Sequence, residues 1–274
     1  MKSLFLLLSL ILVACSPKPD SMNALNADYS NNWVEHQIEA PSFLLTSFER
    51  VNVTSAVANI YIEGDGRAWL NKRIPSLDPT PNNPVAFNLA QLDSADNVFY
   101  LARPCQYTKM TDGSACDQKY WTSHRFSLEV IDAMDDALDD IKRRYQITGF
   151  NLVGFSGGGN LAVLLAARRN DVLSIRTVAG NLDHSLQSNI HNVSQMPYSL
   201  NAKDISKNIE HIPQLHFVGG KDKIVPQKIY ESYKSASDQS DCVKLKFVDT
   251  ASHTKGWETV WESLLSQPVD CSKP

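Results

Sequence analysis

The amino-acid sequence predicts an α/β protein, a single domain built on a mostly parallel central sheet with helices on both faces. Three observations point there. Short β-branched and aromatic runs alternate with helical patterns over most of the chain. A glycine-rich turn, Gly154-Phe155-Ser156-Gly157-Gly158, joins an apolar strand-like run directly to an apolar helical one. The chain has 274 residues, 43% of them hydrophobic, enough for a sizeable core, and no repeat or charge block divides it.

The first element is an export signal. Met1-Lys2 is a short basic start, and the apolar run from Leu4 to Val13 is about half of the roughly 20 residues that span a bilayer. It closes on Leu12-Val13-Ala14-Cys15, which resembles the lipobox of bacterial lipoproteins. The resemblance implies removal of residues 1–14, acylation of Cys15 and attachment to a membrane of the cell envelope. Ser16 in place of Asp after the cysteine implies the outer membrane. Residues 15–32 then form a lipidated tether, whose polar part, Ser16 to Asn32, is rich in Asn, Ser and Pro. The domain is expected over 33–274.

Within it, Trp33 to Glu49 and Ser55 to Glu63 read as opening strands, the second ending in the turn Gly64-Asp65-Gly66. Pro75 to Pro84 is a loop, Val85 to Leu92 a short helix, and Asn97 to Ala102 an apolar strand. The clearest helix is predicted over Trp121 to Tyr145. There Phe126, Val130, Met134, Leu138 and Ile141 recur at helical spacing, and Lys142-Arg143-Arg144 suits the negative end of its dipole. Phe150 to Val153 reads as a strand and Asn160 to Arg169 as a helix. Further strands are expected at Leu173 to Val178, Leu215 to Val218 and Val243 to Val248, with helices at Pro226 to Ser237 and Trp257 to Leu265. Asn181 to Ile212 is the only stretch long enough for a lid.

The turn around Ser156 fits G-x-S-x-G, and it stands between strand and helix as that motif requires. Glycines flank the serine because side chains there would collide with the neighbouring strand and helix. Phosphate loops fit less well. A dinucleotide fingerprint needs glycine where Ser156 stands, and a Walker loop needs lysine where the chain has Asn160.

At these residues the sequence resembles the α/β-hydrolase superfamily, over essentially the whole chain after the tether. The family order is nucleophile, acid, histidine. After the strand Leu215 to Val218 comes Gly219-Gly220-Lys221-Asp222-Lys223-Ile224-Val225-Pro226, similar to the loop that carries the family's acid. After the last strand, Asp249-Thr250-Ala251-Ser252-His253 matches the position of its histidine. The resemblance implies Ser156 as nucleophile, His253 as general base and acid, and Asp222 as the group that orients the imidazole. It also implies an oxyanion hole from the backbone N–H groups of Gly157 and Asp65. Glu63 stands where many members carry histidine; Arg67 is expected to neutralise it.

Rival positions are fewer than composition suggests. His36 and His124 precede the nucleophile, His216 is inside a strand, and His184, His191 and His211 fall before Leu215. Asp183 and Asp249 are the rival acids. With Cys15 acylated, Cys105, Cys116, Cys242 and Cys271 remain, and in an oxidising compartment they allow three pairings. The fold implied by the resemblance favours 105–116 and 242–271. Tyr107, Tyr120 and Trp121 are expected to line a substrate pocket. No metal or redox cofactor is suggested, because Cys-x-x-Cys is absent and no histidine lies at ligand spacing. A net charge of −4 without a dense basic run gives no footprint for nucleic acid.

The expected function is that of a serine hydrolase acting on a carboxylic ester. A peptidase is the alternative, since Gly154 to Gly159 also fits the G-x-S-x-G-G of prolyl-oligopeptidase-like enzymes. Two other readings are a dienelactone-hydrolase-like lactonase and a non-catalytic surface lipoprotein that binds rather than cleaves; the triad lacks no member, which speaks against the second.

Overall fold

The structure is a computed structural model that describes residues 32–71, 73–108, 116–238 and 240–272. Cys15 and the signal and tether expectations lie outside the described residues. Eight strands form one sheet in the order β1-β2-β4-β3-β5-β6-β7-β8. They are β1 (Val34–Ala40), β2 (Phe43–Val51), β3 (Val57–Ile62), β4 (Asn97–Leu101), β5 (Gly149–Phe155), β6 (Val172–Val178), β7 (Gln214–Gly219) and β8 (Val243–Val248). From β4 to β8 every pairing is parallel, and only β1–β2 and β2–β4 are antiparallel. The run expected as one strand from Trp33 to Glu49 is a hairpin, folded at Pro41-Ser42 between Ala40 and its partner Phe43. Proline has no N–H for a ladder, so the strand stops there.

Side chains alternate across the sheet, and each face has its own apolar cluster. Phe99, Leu101, Phe150 and Leu152 join one cluster, while Val98, Tyr100, Val153 and Phe155 join the other. The first face is covered by α2 (Leu128–Tyr145), α3 (Gly157–Ala166) and α6 (Lys228–Ala236); the second by α1 (Val85–Gln91) and α7 (Trp261–Leu265). Among the described residues, both clusters draw on side chains from Trp33 to Val269.

Several elements differ from expectation, among them α7, which begins at Trp261 behind a 3₁₀ turn over Glu258–Val260 and not at Trp257. Helix α2 begins at Leu128, behind the extended N-cap Ser127, not at Trp121. Phe126 imitated its period because it lies four residues before Val130 and is equally buried, but the chain around it is a turn in which the N–H groups of Thr122 and His124 both donate to Lys119 O. Helix α3 starts at Gly157, not Asn160. The stretch from Asn181 to Ile212 holds two short helices, α4 (His184–His191) and α5 (Ala202–Ile205), which too few apolar residues announced. Cys105 pairs with Cys116 and Cys242 with Cys271.

Candidate active site

Ser156 follows β5 and precedes the first residue of α3, with φ 50° and ψ −118°. A non-glycine residue there is strained and stays only where its surroundings hold it. Here the Ser156 N–H donates to Val178 O at 3.0 Å, and Ser156 O accepts from Asn181 N–H at 2.9 Å and Gly159 N–H at 3.0 Å. The glycines are steric necessities. A Cβ on Gly154 would lie 2.3 Å from Gly158 O, and one on Gly158 would lie 2.2 Å from Ile62 O. This packing brings the positive N-terminus of α3 against the serine.

Two later strand ends supply the partners. His253 Nε2 lies 3.1 Å from Ser156 Oγ, and His253 Nδ1 lies 2.9 Å from Asp222 Oδ2. A carboxylate only accepts, so Nδ1 carries the hydrogen of a neutral ring and Nε2 is left to accept from the serine hydroxyl. Asp222 has a fully buried side chain, and its other oxygen accepts from Ile224 N–H at 2.8 Å and Val225 N–H at 2.9 Å. Lys221 N–H donates to Ala251 O, and Trp257 Nε1 donates to His253 O, so the loops after β7 and β8 brace each other. Phe155 covers the imidazole with ring centroids 5.3 Å apart.

The opposite wall is the loop after β3. Gly64 packs so closely that a Cβ would lie 3.2 Å from Ser156 Cβ. Among the described residues, neither the Gly157 N–H nor the Asp65 N–H is hydrogen-bonded. What the sequence reading missed is the Asp65 carboxylate. It lies against Gly157, where a Cβ would come within 2.2 Å of Asp65 Oδ1. Its two oxygens are held by Arg103 and Arg125, one guanidinium each. Burial would raise the Asp65 pKa, but the charges of Arg125 and Arg103 bring it down to about 2. The acid needing compensation beside the serine is therefore Asp65. Nothing local announced the arginines, which stand 38 and 60 residues away in sequence.

Glu63 turns the other way. It is buried, and accepts from Gly64 N–H at 2.9 Å and from Tyr100 hydroxyl at 3.1 Å. Arg67, expected to neutralise it, is exposed and is not its partner. The aromatic expectation also fails. Trp121 is buried with Nε1 donating to Ser76 O, Tyr120 packs edge-on against Phe43, and Tyr107 against Phe48 and Tyr100. Aromatic residues beside a loop filled the core because their burial outweighed any role at its rim.

The rival acids are placed elsewhere. Asp183 caps α4 by accepting from Leu186 N–H and also accepts from Asn201 and Ser232; Asp249 is exposed. Among the described residues, no group of three or more His, Cys, Asp or Glu could hold a metal ion. Beside Arg125 opens a cavity of about 490 Å³, walled by Trp69, Ser123, Gln187, His191 and Met196.

A mostly parallel sheet with a serine in a strained strand-to-helix turn, and an aspartate and a histidine on following strand ends, defines an α/β-hydrolase fold. More narrowly, the chain belongs to the serine hydrolase (FSH1) family, whose model matches residues 84–246. Solved structures share the fold. The esterase Pf2001 of Pyrococcus furiosus aligns with a TM-score of 0.62 and 12% identity, over 86% of this chain and 90% of that one. A putative dienelactone hydrolase from Klebsiella pneumoniae aligns at 0.58 and 15% identity, over 85% and 96%. An acylaminoacyl peptidase of Pyrococcus horikoshii aligns at 0.56 and 11% identity, over 81% of this chain but 37% of that one. No curated protein matches the sequence.

Proposed function

We propose that this serine hydrolase cleaves a carboxylic ester through an acyl-enzyme on Ser156, with His253 and Asp222 completing a triad. The observation that carries the reading is the unbroken contact from Ser156 Oγ through both imidazole nitrogens to Asp222. Ser156 Oγ attacks the carbonyl carbon while His253 Nε2 takes its proton, giving a tetrahedral oxyanion. The N–H of Gly157 and that of Asp65 receive the negative oxygen, with the α3 dipole behind them. As the intermediate collapses, the ester C–O bond breaks and the alcohol leaves with the proton from Nε2. Water, deprotonated by the same nitrogen, then attacks the acyl carbon; the acid departs and Ser156 regains its proton. Asp222 keeps the imidazole in the required tautomer and stabilises its cation.

An ester is favoured over a peptide by how the neighbours align. The protein named an esterase corresponds to nearly its whole length, whereas the one named a peptidase has most of its chain outside the match. Cys15 is proposed as an N-terminal lipid anchor in the bacterial envelope. A fluorophosphonate probe should label the folded protein and fail to label Ser156→Ala. An unlabelled wild type would defeat the enzyme reading and favour the binding module. With labelling in hand, p-nitrophenyl esters should be turned over and aminoacyl amides should not.

A further inference from the structure

Exposed apolar side chains are concentrated in two segments that each line the cavity beside Arg125, through Trp69 in one and Val193 in the other. Trp69, Leu70, Ile74 and Leu77 lie in one segment and Ile190, Val193, Tyr198 and Leu200 in another; together they are half of the large hydrophobic side chains left exposed among the described residues. Both segments contribute walls to the same cavity. Scattered exposed apolar residues are ordinary, but their concentration in two short segments that share one cavity is not.

These side chains are held outward by ordered backbone. Leu70 N–H donates to Ile74 O at 2.9 Å, Ser76 N–H donates to Ala68 O at 2.9 Å, and Asn71 Oδ1 accepts from the N–H groups of Arg73 and Ile74. Leu77 follows this hairpin at 83% exposure. In the other segment, Tyr198 stacks on His124 with centroids 4.5 Å apart, and Leu200 N–H donates to Phe126 O. Charge is equally one-sided. Residues 69–77 and 190–200 contain no Asp or Glu, while Lys72 and Arg73, with Arg67 just before them, are basic in a chain of net charge −4. The first carboxylate beyond the hairpin is Asp78.

We propose that these segments form a lipid-docking rim that seats the cavity mouth on a bilayer containing anionic lipid. Apolar side chains enter the headgroup boundary while the arginines meet lipid phosphates. The chain before the domain permits this. Residues 16–32 extend to at most roughly 60 Å, more than the roughly 45 Å across a domain of this size, so an anchor at Cys15 leaves the rim free to reach the same membrane. The proposal concerns binding and does not depend on the ester reading.

The test uses the chain from Ser16, which keeps every core residue among the described ones and carries no acyl group. It is mixed with vesicles of phosphatidylcholine, with or without one-third phosphatidylglycerol, and sedimented. The wild type should partition onto the anionic vesicles, and the Ile74→Ser/Leu77→Ser double variant should do so about ten-fold less well. Arg73→Glu, on an exposed side chain, should weaken partition by a similar factor of about ten and serves if the double variant misfolds by thermal melting. No partition of the wild type, or equal partition of a folded variant, would overturn the proposal. So would concentration-dependent dimerisation, abolished by the double substitution without vesicle binding, since the rim would then cover a second copy of the chain.

Discussion

The two walls around Ser156 are built differently. The wall of Asp222 and His253 is fixed by backbone: Asp222 accepts two N–H groups from its own loop, and Ser156 is tied by main-chain bonds to β6 and the turn after it. The wall of Asp65 is fixed by side-chain charge, two arginines from distant loops gripping one carboxylate. Backbone bonding tolerates little and depends on local sequence. Charge compensation depends on long-range placement and can be removed without moving the main chain.

The largest expected effect separates these modes on the first wall. Asp222→Asn keeps the shape but presents an amide donor to Nδ1, favouring the wrong tautomer, and should lower kcat by about 10³–10⁴-fold. Asp183→Asn, at the rival acid, keeps an N-cap and should leave kcat within about two-fold. A large loss at Asp183 with little at Asp222 would reverse the assignment.

The second wall should respond less, and reversibly. Arg125→Met leaves the Asp65 carboxylate half-compensated beside Gly157, where the proposed oxyanion forms. A fall in kcat of about ten- to a hundred-fold is expected. Adding Asp65→Asn removes the offending charge and should recover most of it. If the double variant is no better than Arg125→Met alone, the arginine supports the loop by packing, not by charge.

The same contrast explains what the sequence disclosed. Ser156, Asp222 and His253 stand in short patterns whose spacing reflects local backbone demands, and the structure brings them into contact. The parallel strands were readable because each is an apolar run closed by turn residues. Arg103 and Arg125 carried no such pattern, being ordinary basic residues whose meaning arises only when β4 and the turn before α2 converge on Asp65. Phe126 misled for a related reason. Burial against a helix leaves the same apolar spacing as burial within one, and Ser127, the cap that ends the ambiguity, is one serine among many. Arg67 was the obvious partner for Glu63 by proximity in sequence, but buried carboxylates are served by whatever the core places near them.

That last point gives the smallest and most diagnostic expectation. Burial raises the Glu63 pKa from 4.5 to about 7, although the N–H groups of Gly64, Ala86 and Phe87 and the Tyr100 hydroxyl favour its anion. In the unfolded chain the carboxyl titrates near 4.5. Between the two values the folded state holds a proton that the unfolded state has lost, so this group's contribution is complete below pH 4.5 and is lost as pH rises through 7. Glu63→Gln cannot titrate. The stability of the wild type relative to Glu63→Gln should therefore fall between pH 5 and pH 8, by at most about 3 kcal/mol, in urea unfolding. A constant difference would mean that the four donors hold Glu63 as an anion throughout. The wall of Asp65 would then rest on two carboxylates, the partly exposed Asp65 compensated by arginines and the buried Glu63 by the first amides of α1 and the N–H of Gly64.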